Sequence, residues 1–134
     1  MTQTDQNQRW ARGLQALGTL EGDPPTQIDN TRGELATTHF GDLGEHMINF
    51  VFGDIYSRPG LSLREREFVT ISVLIALGRQ TQLKTRLRTA MNVGATPQEL
   101  EEVIIQTIPF AGFPTAIDAM TILRGLLAER EKKG

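Results

Sequence analysis

A glutamate stands on an apolar helical stripe near the middle of the chain. Glu67 lies four residues after Leu63 and four before Ile71, so the three side chains project from one face of a helix. A carboxylate on a core-facing stripe is costly to bury unless it is paired, hydrogen-bonded or protonated. Carboxyl groups in such surroundings are enriched at active sites, where they transfer protons. Glu67 is therefore a candidate catalytic residue, and the alternative is a structural glutamate that bonds a helix end or a nearby arginine.

An arginine occupies the border of a second apolar stripe. Arg86 follows Leu83 by three residues and precedes Ala90 by four. Its guanidinium fork matches a carboxylate, so Arg86 could pair with Glu67 or bind an anionic substrate. The alternative is a rim arginine whose stem packs on the core while its head reaches water.

The two histidines are the other candidates for acid–base chemistry. His39 and His46 are separated by an expected helix break at Gly41, and without a spaced carboxylate they form no recognised metal site. His46 is a candidate second catalytic acid because histidine titrates near neutral pH. A satisfied, partly buried histidine beside an apolar stripe is the alternative. The candidate substrate-binding residues are Arg86, His39, Tyr56 and Phe110.

Composition excludes several classes of function. The 134 residues include no cysteine, which removes disulfides, thiolate nucleophiles and thiolate metal sites. The net charge is −2 and the 14 basic residues are spread along the chain, so we expect no nucleic-acid partner. The longest apolar run, 68–77, is too short to span a bilayer, and the polar first ten residues carry no signal core. We expect a soluble, cytoplasmic protein without a membrane partner.

Helical periodicity, caps and breakers predict an all-α single domain over 1–134, a helical bundle of six to seven helices. No stretch alternates as a half-buried strand would. Thr96 with Glu99 and Ser62 with Glu65 are predicted capping boxes, and Gly41, Gly78 and Gly94 are predicted breaks. The expected segments are a frayed start at 1–8, helix 9–20, a loop at 21–26, and helices at about 29–40, 42–56, 62–77, 80–92, 97–111 and 115–130.

Apolar side chains predict which faces these helices bury. On helix 42–56 one face carries Leu43, Met47, Phe50, Val51 and Ile55, and the last helix is expected to bury Ile117, Met120, Leu123 and Leu127. The 68–77 helix is apolar nearly all round and needs more cover than a small domain easily gives. We therefore expect a homo-oligomer, and the alternative is a central helix wholly covered within one chain.

The segment 58–120 resembles the carboxymuconolactone decarboxylase family. The family's pattern runs through RPGL at 58–61, a hydrophobic run ending in ALG at 76–78, LRTAMNVGAT at 87–96 and AGFP at 111–114. Upstream, RWARGLQALG and FGDIYSRPGL are more similar to the decarboxylases than to their peroxidase relatives, the alkylhydroperoxidase D branch. The resemblance covers about 120 residues.

This resemblance implies a helical subunit that forms trimers or hexamers, with pockets near the subunit contacts. It also implies a reaction from aromatic-compound degradation, in which a carboxylated muconolactone loses CO2. The site then needs a cation or N–H donors for the dienolate, an apolar wall, and an acid that protonates carbon. No metal or organic cofactor is implied, because the lactone itself is the electron sink.

The resemblance carries over to individual residues unevenly. The family glutamate falls on Glu67, whereas the family histidine falls on Arg86, which cannot donate a proton near neutral pH. The thiols of the peroxidases would fall near Arg79 and Gln82 and are absent. We predict a cofactor-independent decarboxylase-like lyase or related isomerase, not a peroxidase, that acts on a small carboxylated or lactone substrate. The alternative is a non-catalytic small-molecule-binding or assembly protein that retains the fold.

Overall fold

A computed structural model of the chain describes residues 1–24 and 30–134. These residues form seven helices and no strand, which confirms the all-α prediction. The third helix is α-helical for its first five residues and then continues as a π-helix, here called the π segment. The elements are α1 (Gln3–Leu20), α2 (Thr31–Phe40), α3 (Asp42–His46), the π segment (Met47–Tyr56), α4 (Leu63–Leu77), α5 (Gln80–Asn92), α6 (Pro97–Ala111) and α7 (Phe113–Lys133).

The contacts of the chain divide it into two compact units, Met1–Leu63 and Arg64–Gly134, called here the N-terminal and C-terminal units. In the N-terminal unit α1 packs against the π segment and α2 contacts α3. In the C-terminal unit α7 contacts both α5 and α6. The single-domain organisation stays a prediction.

The first helix begins earlier than predicted. We expected residues 1–8 to be frayed, but α1 starts at Gln3 because Thr2 caps it. The Thr2 hydroxyl accepts from the Asp5 amide at 3.1 Å, and the Asp5 carboxylate accepts from the Thr2 amide at 3.0 Å. This reciprocal pair satisfies two amides of the first turn.

The predicted loop at 21–26 and the helix start near position 29 fall partly on residues 25–29, which lie outside the described residues. The described part of the second predicted helix is α2. It ends at Gly41, whose φ of 59° is a left-handed conformation that glycine tolerates, as the sequence predicted.

The α1 helix and the π segment meet backbone to backbone. A Cβ atom on Gly53 would lie 2.5 Å from the carbonyl oxygen of Arg9, and one on Gly13 would overlap the carbonyl of Ile48. Only glycine permits this approach. The contact encloses the core of the N-terminal unit, which contains Leu14, Leu20, Ile48, Phe52 and Tyr56.

The helical extent predicted for 42–56 is confirmed, but the predicted face is not the buried one. Phe50 is 55% exposed and Leu43 is 63% exposed. The buried positions keep a spacing of four but lie one residue after the predicted ones, on the face where Gly44 and Gly53 allow close contact with the backbone of neighbouring helices. They are Gly44, Ile48, Phe52 and Tyr56, with Gly53 beside them.

The core of the C-terminal unit follows the predicted stripes on most helices. The α5 stripe of Leu83, Leu87 and Ala90 is buried, and the capping box of Thr96 and Glu99 begins α6. On α7 the prediction for Ile117 was wrong, since this side chain is 60% exposed. Small residues face inward instead, and the buried set on α7 is Ala116, Ala119, Leu123 and Leu126.

The α6 helix passes through Pro109 and ends at Gly112, which has a φ of 91°. The glycine, and not the proline, therefore ends the helix. Among residues 1–24 and 30–134, no helix is long and apolar enough to cross a membrane.

Candidate functional site

Glu67 lies in the first turns of α4 and is fully buried, with 0% of its surface exposed. The same face of α4 continues with Ile71 and Ile75, which are also buried. The predicted inward orientation of the glutamate is thus what the structure has. A carboxylate in this position requires polar partners, because burial of an uncompensated charge is very costly.

Two residues of α5 supply partners to this carboxylate. The hydroxyl of Thr89, which is also fully buried, donates to Oε2 of Glu67. The Nη1 atom of Arg86 lies 3.7 Å from Oε1 of Glu67. Thr89 follows Arg86 by three residues, so both side chains project from the same side of α5. The two oxygens of the carboxylate therefore face different chemical groups, one a hydroxyl and the other a cation.

The ion pair is close without being a direct hydrogen bond. Hydrogen bonds between nitrogen and oxygen span about 2.7–3.2 Å, whereas Nη1 and Oε1 are 3.7 Å apart. The guanidinium compensates the buried negative charge by Coulomb attraction, which is strong at low local polarity. The side chain of Arg86 is 15% exposed, while that of Glu67 is not exposed at all. Within the pair, Arg86 is thus the member that reaches the surface.

This arrangement joins a proton-accepting group to an anion-binding one. A carboxylate can take up or release a proton, and a guanidinium can bind a carboxylate with two parallel hydrogen bonds. Glu67 and Arg86 were both proposed from the sequence, and the structure brings these two residues together.

The other candidate residues are distributed over both units. His39 lies in the last turn of α2, exposed, with its ring centroid 4.4 Å from that of Phe40 in an edge-to-face contact. His46 is exposed at the end of α3 and lines a polar cleft with Trp10 and Asn49. These residues belong to the N-terminal unit.

Tyr56 and Phe110 have opposite environments. Tyr56, in the N-terminal unit, is 7% exposed and its ring centroid lies 5.3 Å from that of Phe52. Phe110, near the end of α6 in the C-terminal unit, is 83% exposed. Their assignment to substrate binding stays a prediction.

Sequence reasoning missed Thr89. The signal was present, because a hydroxyl residue stands between the buried Leu87 and Ala90 and follows Arg86 by one helical turn. A polar side chain next to an apolar stripe needs a partner when it is buried. Glu67, expected on an inward face, was the available acceptor.

Among residues 1–24 and 30–134, no group of three or more His, Asp or Glu side chains is placed to hold a metal ion. The candidate site is the set formed by Glu67, Arg86 and Thr89.

Two comparisons with known proteins, one with a family model and one with individual relatives, agree on the same family. The family model described as carboxymuconolactone decarboxylase matches residues 41–125. The chain is 35% identical over 113 residues to 4-carboxymuconolactone decarboxylase of Acinetobacter baylyi, covering 84% of this chain and 82% of that protein.

Two further relatives are more distant. A nitrosuccinic acid decarboxylase of Metarhizium robertsii is 28% identical over 98 residues, covering 72% of this chain and 68% of that protein. An uncharacterised 15.0 kDa protein of Paracoccus denitrificans is 32% identical over 89 residues, covering 65% of this chain and 66% of that protein. The chain belongs to the carboxymuconolactone decarboxylase family.

Proposed function

We propose that this protein is a decarboxylase that acts on a small carboxylated substrate bound next to Glu67 and Arg86. The observation that carries the proposal is the fully buried Glu67, held between the hydroxyl of Thr89 and the guanidinium of Arg86. Membership of a family with decarboxylase-named relatives supports the reaction class.

The proposed reaction breaks one carbon–carbon bond. The substrate carboxylate leaves as CO2, and the bonding electron pair moves into a conjugated carbonyl or other electron-accepting group of the substrate. A proton then adds to the carbon that carries the resulting negative charge. The reaction needs no oxidant or reductant, because the electrons stay in the substrate and the product gains only the proton.

Arg86 and Glu67 have separate roles in this proposal. Arg86 binds the anion, because its guanidinium presents a fork that fits a carboxylate. Glu67 transfers the proton, and Thr89 is a positioning residue that holds Oε2. Arginine is too weak an acid to replace the family histidine. The proton that adds to carbon is therefore carried by Glu67, which takes it up from water and then donates it.

A purely structural pair is the second candidate. It is favoured by the 0% exposure of Glu67, since a carboxylate that only neutralises Arg86 would also be buried. In that case the protein would be a non-catalytic member that retains the family fold and binds small molecules or assembles.

Steady-state kinetics and thermal unfolding, measured side by side, distinguish these candidates. We expect Glu67→Gln to lower the turnover number by about a hundredfold or more while the fold survives, because positioned acid–base groups contribute on that order. Arg86→Lys should raise KM more than it lowers kcat, because a point charge replaces the fork while the proton path remains. Release of CO2 from 4-carboxymuconolactone and from nitrosuccinic acid is the starting assay.

The matched controls are Glu101→Gln and Arg124→Lys. These residues form an ion pair in the same unit, and the side chain of Arg124 is 60% exposed. Both controls should leave the kinetics unchanged. If Glu67→Gln and Arg86→Lys lower the melting temperature but leave activity per folded molecule unchanged, Glu67 has only a structural role.

A further inference from the structure

An open groove lies in the N-terminal unit. One wall is α1, and the other is the end of the π segment with the residues that follow it. Its volume is about 580 Å³, within the range of about 300–1,000 Å³ that small-molecule sites occupy. Two arginines and no acidic residue line it within the described part of the chain. The lining residues used below are Ala11, Arg12, Ala16, Ser57 and Leu61.

Hydrogen bonds hold the two walls of the groove together. The hydroxyl of Ser57 lies 2.7 Å from the carbonyl oxygen of Phe52 and 3.3 Å from that of Arg12. The Nε atom of Arg12 donates to the carbonyl of Gly53 at 3.3 Å. Because Arg12 and Ser57 are tied to the opposite backbone, the groove is formed before any ligand arrives.

The charge of Arg12 is only weakly compensated. Asp54, the acidic group near it, accepts three hydrogen bonds from Arg9, at 2.7, 3.0 and 3.1 Å. The Nη2 atom of Arg12 is 3.8 Å from Asp54, beyond hydrogen-bond length, and its side chain is 48% exposed. One carboxylate thus faces two guanidinium groups, which leaves an excess of positive charge at the groove.

The remainder of the groove is apolar. Ala11 and Ala16 leave room along α1, and Leu61, which is 42% exposed, forms part of the opposite wall. A cation beside an apolar surface matches an organic anion whose body is apolar and whose carboxylate can meet a guanidinium fork.

We propose that this groove is a binding site for small aromatic or alicyclic carboxylates, with Arg12 as the anion-binding residue. The proposal stands on the geometry of the N-terminal unit and does not depend on the decarboxylase proposal.

Titration of the full-length protein with benzoate, followed by calorimetry and by amide NMR, tests this site. We expect shifts of amides in 11–19 and 56–61. Arg12→Gln should weaken binding by at least about tenfold, because it removes a charge-assisted hydrogen bond. Ala11→Leu should also weaken it, by filling the groove while leaving Arg12 and its hydrogen bonds in place. Benzamide, which lacks the charge, should bind at least about tenfold more weakly than benzoate to the unmodified protein.

Two control variants make the result decisive. Arg130→Gln removes an exposed arginine of α7 and should leave benzoate binding unchanged. Arg86→Gln should leave the groove shifts in place. If Arg12→Gln and Ala11→Leu both bind benzoate as the unmodified protein does, or if the shifts centre on α5 and vanish with Arg86→Gln, the groove is not the site. Should Arg12→Gln fail to fold by circular dichroism, Ala11→Leu decides.

Discussion

The hydroxyl of Thr89 and the guanidinium of Arg86 lie next to different oxygens of the buried carboxylate of Glu67. The hydroxyl supplies a hydrogen bond, and the guanidinium supplies a compensating charge. A buried acceptor that loses its donor costs more than the hydrogen bond was worth in water. Removal of the Thr89 hydroxyl should therefore lower the stability of the C-terminal unit.

We expect Thr89→Val to lower the free energy of unfolding by about 2 kcal/mol, because it keeps the shape of the side chain but removes a hydrogen bond to a charged group. Urea unfolding measures the change. Thr89→Ser, which keeps the hydroxyl, should recover most of the loss.

The matched control for this prediction is Thr107→Val. Thr107 is also buried, and its hydroxyl donates to the carbonyl of Ile104 in its own helix at 2.6 Å. That carbonyl belongs to a neutral backbone group, so the cost should be smaller. An equal loss in both variants would contradict the special role of the contact between Thr89 and Glu67.

At the residue scale, the direction in which a side chain points from its own helix could be predicted from spacing. Its partners on a neighbouring helix could be predicted only in part. The inward orientation of Glu67 follows from its place between Leu63 and Ile71, and Arg86 was one of its possible partners. Thr89 was missed because the register between α4 and α5 decides which hydroxyl meets the carboxylate. That register depends on how the core side chains of two helices interlock, which spacing within one helix does not contain.

Between elements, an ion pair with several hydrogen bonds joins α1 to the π segment in the N-terminal unit. Arg9 donates to both oxygens of Asp54, and this hydrogen bonding, helped by the charges of Arg9 and Arg12, holds the pKa of Asp54 below its usual value. A group whose pKa is lower in the folded state stabilises the fold above its unfolded pKa, about 3.9 for aspartate. This stabilisation is lost as the pH falls through the folded pKa.

We therefore expect Asp54→Asn to lower the melting temperature at pH 7 and to flatten its decline below about pH 4. Thermal unfolding recorded between pH 7 and pH 3 measures both effects. Glu131→Gln, at an exposed position near the end of α7, is the control and should follow the unmodified protein. Parallel pH profiles for Asp54→Asn and the unmodified protein would mean that the link between Arg9 and Asp54 does not contribute.

Helix extents were more predictable than helix faces, for a physical reason. Caps and glycines act locally, so Thr96 with Glu99 and the left-handed Gly41 marked real ends. Faces depend on the helical period and on what lies opposite. On 42–56 the face that carries Gly44 and Gly53 is buried against neighbouring backbone, and α7 turned Ala116 inward and Ile117 outward because small residues allow closer packing.

For the molecule as a whole, the exposed apolar surface of α4 is the feature that indicates an interaction with other chains. On α4 three residues spaced by four are exposed, namely Val69 at 57%, Val73 at 51% and Leu77 at 65%. Contiguous apolar surface of this kind marks interaction sites in soluble proteins. The sequence predicted it, because the helix is apolar nearly all round and a small chain cannot cover every side.

We expect a trimer or hexamer at micromolar concentration, measured by light scattering coupled to size-exclusion chromatography. Val73→Lys should shift the protein towards smaller species, because it places a charge in the centre of the α4 face. Thr38→Lys, at an exposed polar position on α2, should leave the size unchanged. A stable monomer of the unmodified protein would contradict the prediction of an oligomer.

The glycines where α1 crosses the π segment limit which substitutions the N-terminal unit can accept during random mutation. At Gly13 and Gly53 an added methyl group would strike backbone carbonyls, so no change of a neighbouring side chain can make room. Gly60 has nothing within 4 Å of its added Cβ atom and a negative or extended φ, so it can accept alanine. A mutational library of this unit selected for folding should therefore return glycine at 13 and 53 while position 60 diversifies.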